Sequence, residues 1–96
     1  MITIIATLKV KEGKMEEALK ILKGIVPKVR ESEPGCKTYI LHTVKGALNK
    51  NLIIFYEKYE DKDALNLHSA FLPDHFKQLF PLLEGGIDIK TCEEIL

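Results

Sequence analysis

Glu57 and His68 are the two ionisable side chains whose types and spacing best suit chemistry. An acid and an imidazole that meet in an apolar hollow can move a proton near neutral pH, where histidine titrates. Glu57 lies in LIIFYEKY, residues 52–59, a run rich in β-branched and aromatic side chains that predicts a strand. Alternation puts Ile53, Phe55, Glu57 and Tyr59 on one face and Leu52, Ile54, Tyr56 and Lys58 on the other. Glu57 thus follows two apolar residues on its own face, as an acid does at the wet end of a strand or beside a cavity. Glu60-Asp61-Lys62-Asp63 then opens a helix, with Asp61 as its N-cap and acids in the first turn. Ala64, Leu65, Leu67, His68 and Phe71 fall mainly on one helical face, so His68 shares the buried side. The plainer alternative is a strand-end glutamate paired with a lysine, and a histidine hydrogen-bonded within a core.

The remaining elements must hold that strand and helix together. The 96 residues make one domain, 1–96. Ile2 to Val10 alternates with apolar groups on both faces, predicting a central strand covered on both sides. After a turn at Lys11–Lys14, a helix extends to about Ser32 on the stripe Met15, Ala18, Leu19, Leu22, Ile25, Val26 and Val29. Pro27 should bend its last turn. Glu33-Pro34-Gly35-Cys36 ends the helix and turns the chain into a strand from Lys37 to Val44, followed by a loop at Lys45–Lys50. Leu72-Pro73-Asp74 predicts a break in the helix carrying His68. A further helix then starts near Pro73, with Phe76, Leu79, Phe80 and Leu83 on its apolar side, and stops at Gly85-Gly86. Ile87, Ile89 and Thr91 alternate with Asp88, Lys90 and Cys92 in a last strand. The order βαββααβ predicts an α+β, ferredoxin-like fold with helices on one face of an antiparallel sheet. The other face keeps apolar residues, and a second copy packed sheet to sheet would cover them.

Composition removes several functions. Lysine plus arginine number 14, as do aspartate plus glutamate, so the formal charge is zero. With Arg30 the sole arginine and no basic stripe, nucleic acid is not the expected partner. No apolar run approaches the roughly 20 residues of a membrane span. MITIIATLKV lacks a charged leader region and a cleavage site, so it reads as a strand, and the expected location is the cytoplasm. Cys36 and Cys92 are isolated, with no CxxC or zinc-type histidine spacing, so no metal is expected. The two cysteines belong to strands at opposite sheet edges, which disfavours a disulfide. No Gly-rich phosphate loop, GxSxG or HExxH occurs, and no cofactor is expected.

Four segments in order, IIATLKVKEGK, IVPKVRESEPGC, FYEKYEDKDALNLH and PDHFKQL, resemble the antibiotic biosynthesis monooxygenase family, including its quinol monooxygenase-like members. The resemblance spans nearly the whole chain. It implies a homodimeric α/β barrel with a pocket in each subunit between sheet and helices, holding Glu57 and His68. It further implies a cofactor-independent oxygenase acting on a small quinol or polycyclic phenol. A base removes a phenolic proton, and the electron-rich phenolate reduces O₂ directly. Either Glu57 or His68 could be that base; His68 is favoured, with Glu57 orienting it. Tyr59, at a position where many relatives carry tryptophan, is expected to bind substrate together with Phe55, Phe71 and His75; the alternative for Tyr59, preferred over a catalytic role, is core packing with a satisfied hydroxyl. Relatives commonly place Pro-His four residues after the helix histidine; here Pro73 comes five after His68, and Asp74 separates it from His75. Thr7, His68 and Phe80 stand where haem-degrading relatives use asparagine, tryptophan and histidine, so haem cleavage is not expected. Two other functions fit the same residues. One is a proton-transfer isomerase acting on a small carbonyl compound. The other is a non-catalytic dimer that binds a small molecule.

Overall fold

A computed structural model describes all the residues, Met1–Leu96. The chain forms β1 (Ile2–Lys9), α1 (Met15–Ser32), β2 (Cys36–Thr43), β3 (Leu52–Tyr59), α2 (Lys62–Phe76) and β4 (Asp88–Glu93), with short 3₁₀ turns at Ala47–Asn49 and Phe80–Leu82. The strands pair antiparallel in the order β2-β3-β1-β4, the α+β ferredoxin-like arrangement expected from the sequence. Cys36 and Cys92 are free thiols on the two edge strands. No helix is long and apolar enough to cross a membrane.

Register places the residues that matter. Tyr39 lies opposite Glu57, Glu57 opposite Ile4, and Ile4 opposite Thr91, so one row crosses all four strands. The adjacent row on the same face is Leu41, Phe55, Ala6 and Ile89. Both helices cover this face. Ile4, Ala6, Leu8, Ile53, Phe55 and Tyr59 are buried against Ala18, Leu22, Ile25 and Val29 of α1 and Phe76 of α2. β1 is central in the sheet order, yet only one of its faces is covered within the chain. On the other face Ile5 is 36% exposed and Ile40 46% exposed.

The expected break at Pro73 does not occur. α2 continues through it to Phe76, and a single 3₁₀ turn replaces the second predicted helix. An interior proline costs a helix about 3 kcal/mol through a lost hydrogen bond and a clash. Burying Phe76 returns about 1.5–3 kcal/mol, and the partial burial of Leu72 on the other side adds to it, which together offset most of that cost. Pro27 is likewise held inside α1, between the buried Ile25 and Val29.

The corner between α1 and β2 packs tightly on the start of α2. A Cβ at Gly35 would stand 2.5 Å from Ala64 Cβ, while the Gly35 carbonyl accepts from the Glu60 amide at 2.8 Å. Gly35→Ala should therefore lower stability by about 1–3 kcal/mol, read as a lower denaturant midpoint. Adding Ala64→Gly should cost less than the sum of the two single changes, because it removes the atom that clashes.

Candidate active site

β3 delivers Glu57 to the covered face. α2 returns across that face and delivers His68 from its second turn, after Asp61 has capped the helix by accepting from the Ala64 amide at 2.9 Å. Glu57 and His68 are each only 4% exposed, and they share one site. His68 Nε2 is 3.7 Å from Glu57 Oε1, too long for a hydrogen bond but close enough for a protonated ring to attract the carboxylate. The Tyr59 hydroxyl donates to the same Glu57 oxygen at 2.6 Å. On its other side the imidazole meets an acid that the sequence did not single out. Glu33, 1% exposed, places Oε1 2.8 Å from His68 Nδ1. The short contact expected of Glu57 is thus made by Glu33. The two carboxylates approach opposite nitrogens of one ring, and the rings of Tyr59 and Tyr39 flank it at 5.2 and 5.5 Å.

Glu57 and His68 border a cavity of about 90 Å³. Of its fourteen lining residues only Glu57, His68 and Ser69 are not hydrophobic. Phe55 forms part of the wall. An apolar cavity of about 150 Å³ can hold a benzene ring, so this smaller one gains room for an aromatic guest when side chains at its mouth move aside. The side chains placed to yield are Phe80 and Ile89, which line the cavity yet are 40% and 56% exposed. They mark its mouth at the β4 edge.

The other expected contacts fall elsewhere. Tyr59 is wholly buried, does not line the cavity, and commits its hydroxyl to Glu57. Phe71 and His75 pair edge to face at 5.9 Å on the flank of α2, outside the cavity. His75 borders instead a surface groove with Lys20, Ile21 and Lys28 of α1. The reason is helical phase. α2 turns Leu65, His68, Ser69, Leu72 and Phe76 inward, which leaves Phe71 beside that stripe, and because the helix continues through Pro73, His75 stays beside it too.

Burial pushes the Glu57 carboxyl above its ordinary range, and the charge of Glu33 adds to this; the Tyr59 hydroxyl and His68 oppose it. The Tyr39 and Tyr59 hydroxyls are driven far upward by burial and by Glu57, so both act as neutral donors and not as bases. Cys36 is pushed up to about 11 by burial and by Glu33, which leaves it an inert thiol. A raised Glu57 makes the folded chain bind that proton more tightly than the unfolded chain. Its burden on stability is therefore absent below about pH 4 and grows as pH rises through the raised value. Glu57→Gln, which can still accept from Tyr59, should be more stable than the parent at neutral pH. That advantage should vanish near about pH 4, as followed by urea midpoints across the range.

Sequence inspection passed over Glu33 and Tyr39. For Glu33 a signal existed: it is the C-cap of α1, where the helix dipole disfavours an acid, and it stands immediately before Pro-Gly. An acid at the wrong end of a helix needs another partner. Tyr39 gave no such mark. It shares the helix-facing row with Glu57, and its hydroxyl and Glu33 Oε2 are buried without a hydrogen-bond partner.

Comparison with known proteins gives this geometry a family. The model of the family described as antibiotic biosynthesis monooxygenase matches residues 1–80. A candidate antibiotic biosynthesis monooxygenase of Caulobacter crescentus CB15 superposes with a TM-score of 0.86 at 27% identity, over 99% of this chain and 90% of that one. Protein SO0527 of Shewanella oneidensis gives 0.79 at 29% identity, over 95% and 87% of the two chains. A conserved protein of Methanosarcina mazei Go1 gives 0.77 at 25% identity, over 97% and 91%. No functionally curated protein matches the sequence. With the family model covering both β1 and the whole of the Glu33–His68–Glu57 site, the chain belongs to the antibiotic biosynthesis monooxygenase family.

Proposed function

We propose that the protein is a cofactor-independent monooxygenase of a small quinol or polycyclic phenol. The observation that carries this is the convergence of His68 and Glu57 on one apolar cavity. A phenol entering past Phe80 and Ile89 meets two proton-handling groups at the polar end and hydrocarbon elsewhere. His68 accepts the phenolic proton. The phenolate, held in a low-dielectric wall, is a stronger reductant than the phenol and gives its electrons to O₂. A new C–O bond forms at the ring, and the other oxygen atom leaves as water with two hydrogens from the substrate. Glu57, kept toward its protonated form by burial, hydrogen-bonds the substrate oxygen, and Tyr59 fixes its orientation. Phe55 supplies an aromatic wall.

The test is oxygen consumption by the purified protein with a panel of hydroquinones and polycyclic phenols, in chelator and without added flavin. Protein-dependent uptake yielding an oxygenated product is the expected result. Conversion of a carbonyl substrate without uptake would make the site an isomerase. Tight ligand binding with neither reaction would make it a binding module. We propose further that the bare sheet face, with Ile5 and Ile40 exposed, packs against a second copy of the chain.

A further inference from the structure

We propose that Glu33 is a positioning residue that holds His68 in the tautomer with its proton on Nδ1, leaving Nε2 as the basic atom beside Glu57. The role in turnover rests on the function proposed above; the tautomer does not.

An ionised carboxylate only accepts hydrogen bonds, so the 2.8 Å contact between Glu33 Oε1 and His68 Nδ1 requires a proton on that nitrogen. Neutral imidazole then carries its lone pair on Nε2, the atom that faces Glu57. When Nε2 takes up a proton, the ring becomes a cation between two buried acids, and Glu33 stabilises the charge as it forms. Glu33 is not satisfied in any other way. Its only ionic partner is His68, and Oε2 has no hydrogen bond. The nearby Arg30 spends Nη2 on the Tyr39 carbonyl at 2.8 Å.

The fold holds this pair in register by means independent of the contact itself. The Glu33 amide donates to the Val29 carbonyl at 3.0 Å, and the Glu33 carbonyl accepts from the Cys36 amide at 2.9 Å, so the backbone is fixed on both sides. Gly35 packs directly on Ala64, one helical turn before His68 on the same side of α2. The close approach that excludes any side chain at Gly35 is what brings the α1–β2 corner within reach of the imidazole.

The decisive measurement is the ¹⁵N spectrum of the His68 ring in the full chain, labelled at histidine and recorded at alkaline pH, with the resonances assigned by their loss in His68→Gln. The expected parent spectrum shows a proton on Nδ1 and a bare Nε2. Glu33→Ala should move the proton to Nε2, the form preferred by free imidazole. A parent ring protonated on Nε2 overturns the proposal, and the parent spectrum decides this even where Glu33→Ala fails to fold. An unchanged tautomer in Glu33→Ala overturns it equally. With a quinol that turns over, Glu33→Gln should lower kcat on the order of 10²-fold with KM little changed, and Glu33→Asp should recover part of that loss. A loss confined to KM would overturn the role in turnover. Absence of any oxygenase substrate would refute the proposed reaction, while the spectrum would still decide the tautomer.

Discussion

His68→Gln should reduce turnover of a quinol substrate by about 10²–10⁴-fold while leaving the fold intact. The imidazole lines the cavity, is buried, and can accept a proton on Nε2 while Glu33 holds Nδ1 behind it. Tyr39 and Tyr59 are held in their neutral forms, and Glu57 is biased toward holding a proton of its own. Glutamine supplies an amide that can still donate to Glu33, so its effect reports the lost base. Alanine is the harsher change. It leaves Glu33 and Glu57 facing each other in apolar surroundings without the ring between them. Each buried group left unpaired costs about 1–3 kcal/mol, so His68→Ala should lose stability as well as rate. Oxygen uptake and denaturant midpoints on both variants separate the two effects. A glutamine variant that keeps its rate within about threefold would remove His68 as the base. The task would then pass to Glu57, and Glu57→Gln would become the inactive variant.

The scaffold was legible in the sequence and the site only partly. Strict alternation in 52–59 assigned every β3 side chain to its observed face, because one face is sealed by helices and the other is not. Asp61 was legible as a cap for the same local reason. Pro73 misled because its cost is local while the gain that overrides it, the burial of Phe76 against the sheet, lies across the fold. His75 and Phe71 were expected at the pocket from the family resemblance, and neither lines the cavity, because the inward stripe of α2 passes through Leu65, His68, Ser69, Leu72 and Phe76. The convergence of Glu57 with His68 followed from strand face and helix face together. Glu33 is separated from His68 by 35 positions, and no periodic pattern links a corner residue to a helix residue. Only the contact of Gly35 with Ala64 brings them together, and a glycine in Pro-Gly reads from sequence as a turn alone.

Ile5→Asp should convert the proposed dimer to a monomer of 10.9 kDa, seen by light scattering or sedimentation, with far-ultraviolet dichroism unchanged. The uncovered face carries a row across the sheet in which Ile40 lies opposite Tyr56, Tyr56 opposite Ile5, and Ile5 opposite Lys90. Ile5 is on the central strand β1, so a second sheet laid on this face would bury it near the middle of the contact. A charge placed there must lose its water without gaining a partner, at an effective cost of several kcal/mol. Even about 3 kcal/mol per interface raises the dissociation constant more than about 100-fold, and twofold symmetry brings in the substitution twice. The folded chain tolerates the change because Ile5 already meets solvent within one copy and packs on neither helix. Ile40→Asp, on the edge strand β2, should weaken the dimer less. Dissociation should also lower the unfolding midpoint and make that of the parent depend on concentration, since a chain this short keeps only a modest core of its own. A parent protein that sediments as a monomer, or an Ile5→Asp variant that remains fully dimeric, would move the interface off the sheet.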